Sequence, residues 1–132
     1  MSITEIGRQG EQLARTVLKE TFKVDDIFQA DWLVKAKDNW HVIEVKHKEL
    51  FKPPPFYGQG LDIRQVKARL KFQKDTGIRC LFLVIESPSN KVYWQWLDVL
   101  EQTKYIDTKN AVRIYDIKNF KNINSIVPCG AG

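Results

Sequence analysis

Histidine and cysteine are scarce, with two of each among 132 residues. They do not cluster at zinc-like spacing, which excludes a Cys/His metal centre. Two cysteines build no disulfide framework. Cys80 lies in an apolar run and reads as a small buried hydrophobe, while Cys129 lies in a glycine-rich tail. No apolar run approaches the roughly 20 residues that span a bilayer. The opening Met1-Ser2-Ile3-Thr4-Glu5 has neither the basic start nor the apolar stretch of a secretory leader. The expected setting is therefore the reducing cytoplasm, away from membranes. Internal repeats, heptads and linkers are also lacking. The expectation is one domain over 1–132, with a core at about 3–97 and a tail at 119–132 that resists assignment.

Positive charge is what the chain has in excess. The net charge is +5 and the pI near 9.2. That favours an anionic partner, and nucleic acid is the commonest one. Proline is sparse but concentrated, with three of five residues at Pro53-Pro54-Pro55.

Periodicity places the elements. Residues from Ile3 to Phe22 read as an amphipathic helix, with Ile6, Gly10, Leu13, Ala14, Val17 and Leu18 on one face and Glu11 at its border. Two strands follow, at about Asp26–Lys35 and Asn39–Lys48, joined by the polar turn Lys37-Asp38-Asn39 into an antiparallel hairpin. The stretch Glu49–Gly60 reads as irregular because of its prolines and glycines. A second helix spans about Asp62–Lys74, capped by Asp62 and ended by Gly77. Arg79–Glu86 is an apolar strand of the type buried on both faces. It is expected at the sheet centre beside the strand carrying Glu44. Lys91–Leu97 and Val112–Ile117 read as further strands, with a helical turn or two near Asp98–Lys104. The order implies an α/β sandwich with a mixed sheet.

The chemistry concentrates at Glu44-Val45-Lys46, thirteen residues after Asp31. On a strand, Glu44 and Lys46 project side by side and Val45 faces away. The hairpin sets Asp31 opposite this region, and paired strands lie about 4.8 Å apart. Two carboxylates can then reach one ion. Mg²⁺ prefers a few carboxylates plus waters, and Asp31, Glu44 and the backbone carbonyl of Val45 fit that need. A divalent ion there can activate water for phosphodiester hydrolysis, with Lys46 holding the nucleophile or stabilising the transition state. The bland alternative is a surface ion pair.

In these features the chain resembles the PD-(D/E)xK nuclease superfamily, nearest in pattern to its small Holliday-junction resolvase-like members. The resemblance runs from Gly7 to Glu86. It rests on Gly7-Arg8-Gln9-Gly10-Glu11 in the first helix, Asp31, Glu44-Val45-Lys46, and Gln65 on the second helix. The usual proline before the first acid is replaced by Ala30. The resemblance implies a restriction-endonuclease-like three-layer sandwich, a mixed central sheet flanked by helices with core order α-β-β-β-α-β. It further implies a Mg²⁺- or Mn²⁺-dependent DNA endonuclease of recombination or repair, acting on duplex or branched DNA as a homodimer and leaving a 5′-phosphate. Glu11 would assist the metal and Gln65 would serve the site. No organic cofactor is implied.

The basic residues that would track a phosphate backbone are Arg8, Lys48, Lys52, Arg64, Lys67, Lys71 and Lys74. An ordinary solvated helix face accounts for the stripe on the second helix equally well. The loop from Leu50 to Gly58 sets aromatics among prolines, suited to wedging into distorted DNA or to covering a sheet edge. His47 alternates away from Lys46, and His41 reads as structural. Two other functions compete: a non-catalytic DNA-binding or assembly module on the same fold, and an RNA-processing nuclease.

Overall fold

A computed structural model of the chain describes residues 3–28 and 30–123, with side chains from Gly7 onward. Gln29, the side chain of Ile6 and the stretch 124–132 with Cys129 lie outside the described residues. The elements are α1 (Ile3–Glu20), β1 (Trp32–Ala36), β2 (Asn39–Lys48), β3 (Gly58–Asp62), α2 (Ile63–Thr76), β4 (Cys80–Glu86), β5 (Val92–Trp96), α3 (Leu97–Leu100), β6 (Tyr105–Asp107), β7 (Val112–Asp116) and β8 (Lys121–Ile123). The fold is mixed α/β, as expected. A five-stranded mixed sheet runs in the order β1-β2-β4-β5-β8.

The hairpin turns on Lys37 and Asp38, whose φ angles of 50° and 66° suit a two-residue turn of the left-handed kind. That turn pairs Ala36 with Asn39 and Trp32 with Ile43. Strand β2 then pairs in parallel with β4, matching Val42 with Cys80 and Glu44 with Phe82. Such a parallel connection needs a crossover, which α2 supplies. Asp62 opens α2 by accepting the Arg64 amide at 2.8 Å, and Gly77 closes it at φ 78°. The inward face of the sheet (Val42, Phe82, Val84) packs with Val66, Leu97, Leu100 and Tyr115 into one core.

Two expectations are corrected. The first strand begins at Trp32, not Asp26, and Ile27 to Phe28 run as loop. The second correction concerns Gly58-Gln59-Gly60, which is not irregular: it forms most of β3. In chain order the core is still α-β-β-β-α-β, but β3 joins a second sheet, ordered β3-β7-β6. Glycine is required there by close approach. A Cβ on Gly58 would lie 2.5 Å from the Tyr115 carbonyl oxygen and 2.7 Å from Ile114 Cγ2. Gly58→Ala is therefore expected to cost about 1–3 kcal/mol by overpacking. Urea denaturation of the variant checks this, and an unchanged midpoint would contradict it.

Helix α1 forms as the periodicity predicts, but its apolar face is not sequestered. Leu13 is 68% exposed, and Val17, Leu18 and Phe22 are exposed too. On β1, Trp32 and Leu33 are likewise exposed. Among the described residues no helix is long and apolar enough to cross a membrane.

Candidate active site

Glu44 and Lys46 end up where strand alternation puts them, on the face of β2 that meets α2. Glu44 is fully buried, deep in an otherwise apolar layer beside Val42 and Phe82. A buried carboxylate needs a cation and hydrogen bonds. Arg69 of α2 supplies both, its Nε and Nη2 groups donating to Glu44 Oε2 at 3.1 and 3.0 Å. Gln65, one helical turn earlier, donates to the other oxygen, Oε1, at 3.3 Å. Lys46 Nζ lies 4.0 Å from the same Oε1, with its side chain 33% exposed. Phe28, from the loop after α1, covers the Arg69 guanidinium at 5.0 Å and stacks on Phe72 at 3.8 Å.

Asp31 sits one residue before β1. Extending the hairpin register sets it against Glu44. Its Oδ2 accepts the Val45 amide at 3.0 Å, taking the place of the next backbone rung of the ladder. The Val45 N–H is thereby tied to Asp31 on the β1 side of β2. The neighbouring Cys80 thiol reports the charge gathered here. Burial, then the Glu44 carboxylate, pushes its pKa up to about 12, and Asp31 adds in the same direction.

Around the residues that bind Glu44 opens a cavity of about 940 Å³, from which Glu44 itself is buried. Asp31, Lys46, Gln65 and Arg69 line it, together with Arg15, Asp62 and Arg64. Four cationic side chains (Arg15, Lys46, Arg64, Arg69) face two carboxylates (Asp31, Asp62) on its wall. That balance suits a phosphate.

The other expected site residues divide. Glu11 does not join Asp31 and Glu44: it is exposed on α1, and the cavity receives Arg15 from the next turn instead. Among the described residues no three His, Cys, Asp or Glu side chains converge as a metal cluster. Arg8, Lys52, Arg64, Lys67 and Lys74 are exposed. Lys48 is half-buried and tied into the fold. Its Nζ donates to the Gly60 carbonyl at 2.8 Å and lies over the Phe51 ring at 5.0 Å. Burial, then the charge of Lys46, lowers its pKa. Lys71 is exposed but bound to Asp75 at 2.8 Å and Asp26 at 3.1 Å. Those bonds, Asp75 first, raise its pKa.

Arg69 is a site residue absent from the candidates drawn from the sequence, where it stands among the basic residues of the second helix. Its helical phase carried the signal. It lies three residues after Val66 and four after Gln65, on the buried side of α2.

The donor set fits a small divalent cation with one condition. Asp31 keeps Oδ1 without a protein donor among the described residues, and lines the cavity. Glu44 offers Oε1 toward Gln65 and Lys46, through a long hydrogen bond that a side-chain turn of Gln65 releases. Two carboxylates and waters satisfy Mg²⁺ without an all-protein cage.

No family profile and no curated protein matches this sequence. Solved structures similar to it include Hjc, a Holliday junction resolvase from Archaeoglobus fulgidus. That one is 14% identical, with a TM-score of 0.49 over 88% of this chain and 91% of the other. A nuclease from a fusselovirus is 13% identical, with a TM-score of 0.44 over 89% and 81%. At such values neither likeness carries chemistry over to this chain.

Proposed function

We propose that this protein is a divalent-metal-dependent DNA endonuclease that hydrolyses phosphodiester bonds, selecting branched or distorted DNA by structure. The observation that carries the reading is that Asp31 and Lys46 line a cation-rich cavity, with Glu44 buried 4.0 Å from Lys46. A structural ion pair needs no such cavity, and a pure binding module needs no acid under its floor.

Asp31 Oδ1 and Glu44 Oε1 would hold Mg²⁺ or Mn²⁺. When bound, the ion supplies Lewis-acid polarisation of the phosphate and makes water acidic enough to attack. Lys46 would hold the attacking water and offset charge that develops on phosphorus-bound oxygens. Arg15 and Arg64, which line the cavity, would hold flanking phosphates. The Val45 amide keeps Asp31 in position, and Gln65 holds Oε1 through one long hydrogen bond. Glu11, exposed on α1, would join this set only if α1 moved.

A homodimer would set two such sites on the two strands of a junction. The exposed apolar stripe of α1 with Trp32 and Leu33 supports association, and sedimentation at micromolar concentration tests it.

Cleavage of duplex, flap, four-way-junction and single-stranded DNA, and of RNA, with and without Mg²⁺, tests the proposal. The expected result is Mg²⁺-dependent nicking of junction DNA. Cutting confined to RNA would favour the RNA-processing alternative, and binding without cutting the assembly module. Phosphate contact by exposed cations gives a further expectation. Lys67→Ala and Arg64→Ala should each weaken binding on all sequences alike. Each should also reduce the slope of log K against log salt by about 1. Fluorescence anisotropy across a salt series measures both. Lys71→Ala, whose charge is already matched by two carboxylates, should change the slope less.

A further inference from the structure

The two oxygens of Glu44 are treated differently by the fold. Oε2 receives both Arg69 hydrogen bonds, at 3.0 and 3.1 Å, from a guanidinium that is itself buried. Oε1 receives one long bond from Gln65, which lines the cavity. Phe28 packs over Arg69 and is in turn stacked on Phe72, so Arg69 has little room to withdraw. Gln65 faces the cavity and is free to turn into it. A guanidinium fork is rigid, always charged and costly to strip of its acceptor when buried.

From this asymmetry we infer that Arg69 is a positioning residue that makes Glu44 a single-oxygen ligand and thereby sets which divalent cation the site prefers. The inference rests on the metal-dependent reading above and deepens it. With Oε2 held by Arg69, Glu44 offers only Oε1. Mg²⁺ and Mn²⁺ accept such a ligand, since an octahedral ion completes its shell with waters. Ca²⁺ takes six to eight oxygens and gains from a carboxylate that grips with both. Arg69 denies it that grip. Gln65, on the other oxygen, yields to either ion and does not discriminate.

The test is isothermal titration of the full chain with MnCl₂ and with CaCl₂, in the absence of DNA. Wild type is expected to bind Mn²⁺ more tightly than Ca²⁺. In Arg69→Met, which frees Oε2, the Ca²⁺ affinity relative to Mn²⁺ should rise about tenfold, as two-oxygen binding becomes available. Arg69→Lys keeps a buried cation against Glu44, protects against unfolding, and should hold the ratio closer to the wild-type value than Arg69→Met does. A purely structural Arg69 would move both affinities together and leave the ratio unchanged within about twofold, which overturns the inference.

A measurement on the wild type stands even if both variants fail to fold. The Arg69 Nε–H resonance should stay protected from water exchange when the protein is saturated with Mg²⁺. Its release on Mg²⁺ binding would mean that the ion takes Oε2 as well, and would overturn the inference. Either contrary result alongside intact Mg²⁺-dependent cleavage overturns this inference alone. A wild type that binds neither cation and cuts nothing overturns it together with the nuclease reading.

Discussion

Replacing Glu44 by alanine is expected to abolish metal-dependent cleavage and to destabilise the fold by about 3–5 kcal/mol. The second effect comes from Arg69. Its guanidinium is buried against Glu44, and removing the carboxylate strands a charge with nowhere to go. Domains of this kind are stable by only about 5–15 kcal/mol, so the loss takes a large share of the total. Urea titration reads it directly. A variant as stable as the wild type would mean that Arg69 finds water or another acceptor, and the buried pair would not be what organises the site. Because the variant loses both stability and a ligand, its lost activity alone proves little about chemistry.

Lys46→Ala separates the two. Lys46 Nζ is 4.0 Å from Glu44 Oε1, at the limit of an ion pair, and a third of its side chain meets solvent. Partly exposed pairs of this kind contribute about 1 kcal/mol or less. Stability should therefore change little. Cleavage should fall about 10²–10³-fold, the usual loss when one electrostatic stabiliser of a transition state is removed. Single-turnover cleavage at saturating protein measures the chemical step without the binding loss. A variant that cuts at the wild-type rate would remove Lys46 from the mechanism and leave Glu44-Val45-Lys46 as a structural motif.

The contrast between these substitutions also shows what could be read in the sequence. The polar turn at Lys37 and Asp38 and strand alternation place Asp31 against Glu44, and both features are local. The caps of α2 at Asp62 and Gly77 are local as well. The second sheet was hidden because Gly58-Gln59-Gly60 looks permissive alone; only the approach of Tyr115 and Ile114, more than fifty residues on, makes it a buried strand. Arg69 was hidden by charge: it sits among exposed cations in sequence, yet its helical phase turns it inward. Lys48 presents the opposite case. It lies beside Lys46 and looks available, but the Gly60 carbonyl, brought in by β3, captures it. Glu11 depends on how α1 packs, and the sequence pattern of an amphipathic helix does not say against what.

Anomalous diffraction from a crystal soaked in Mn²⁺ tests the central claim most directly. The account predicts one strong peak bridging Asp31 Oδ1 and Glu44 Oε1, with Gln65 turned aside and Arg69 still on Oε2. No peak at saturating Mn²⁺, or a peak away from Asp31 Oδ1 and Glu44 Oε1, would contradict it.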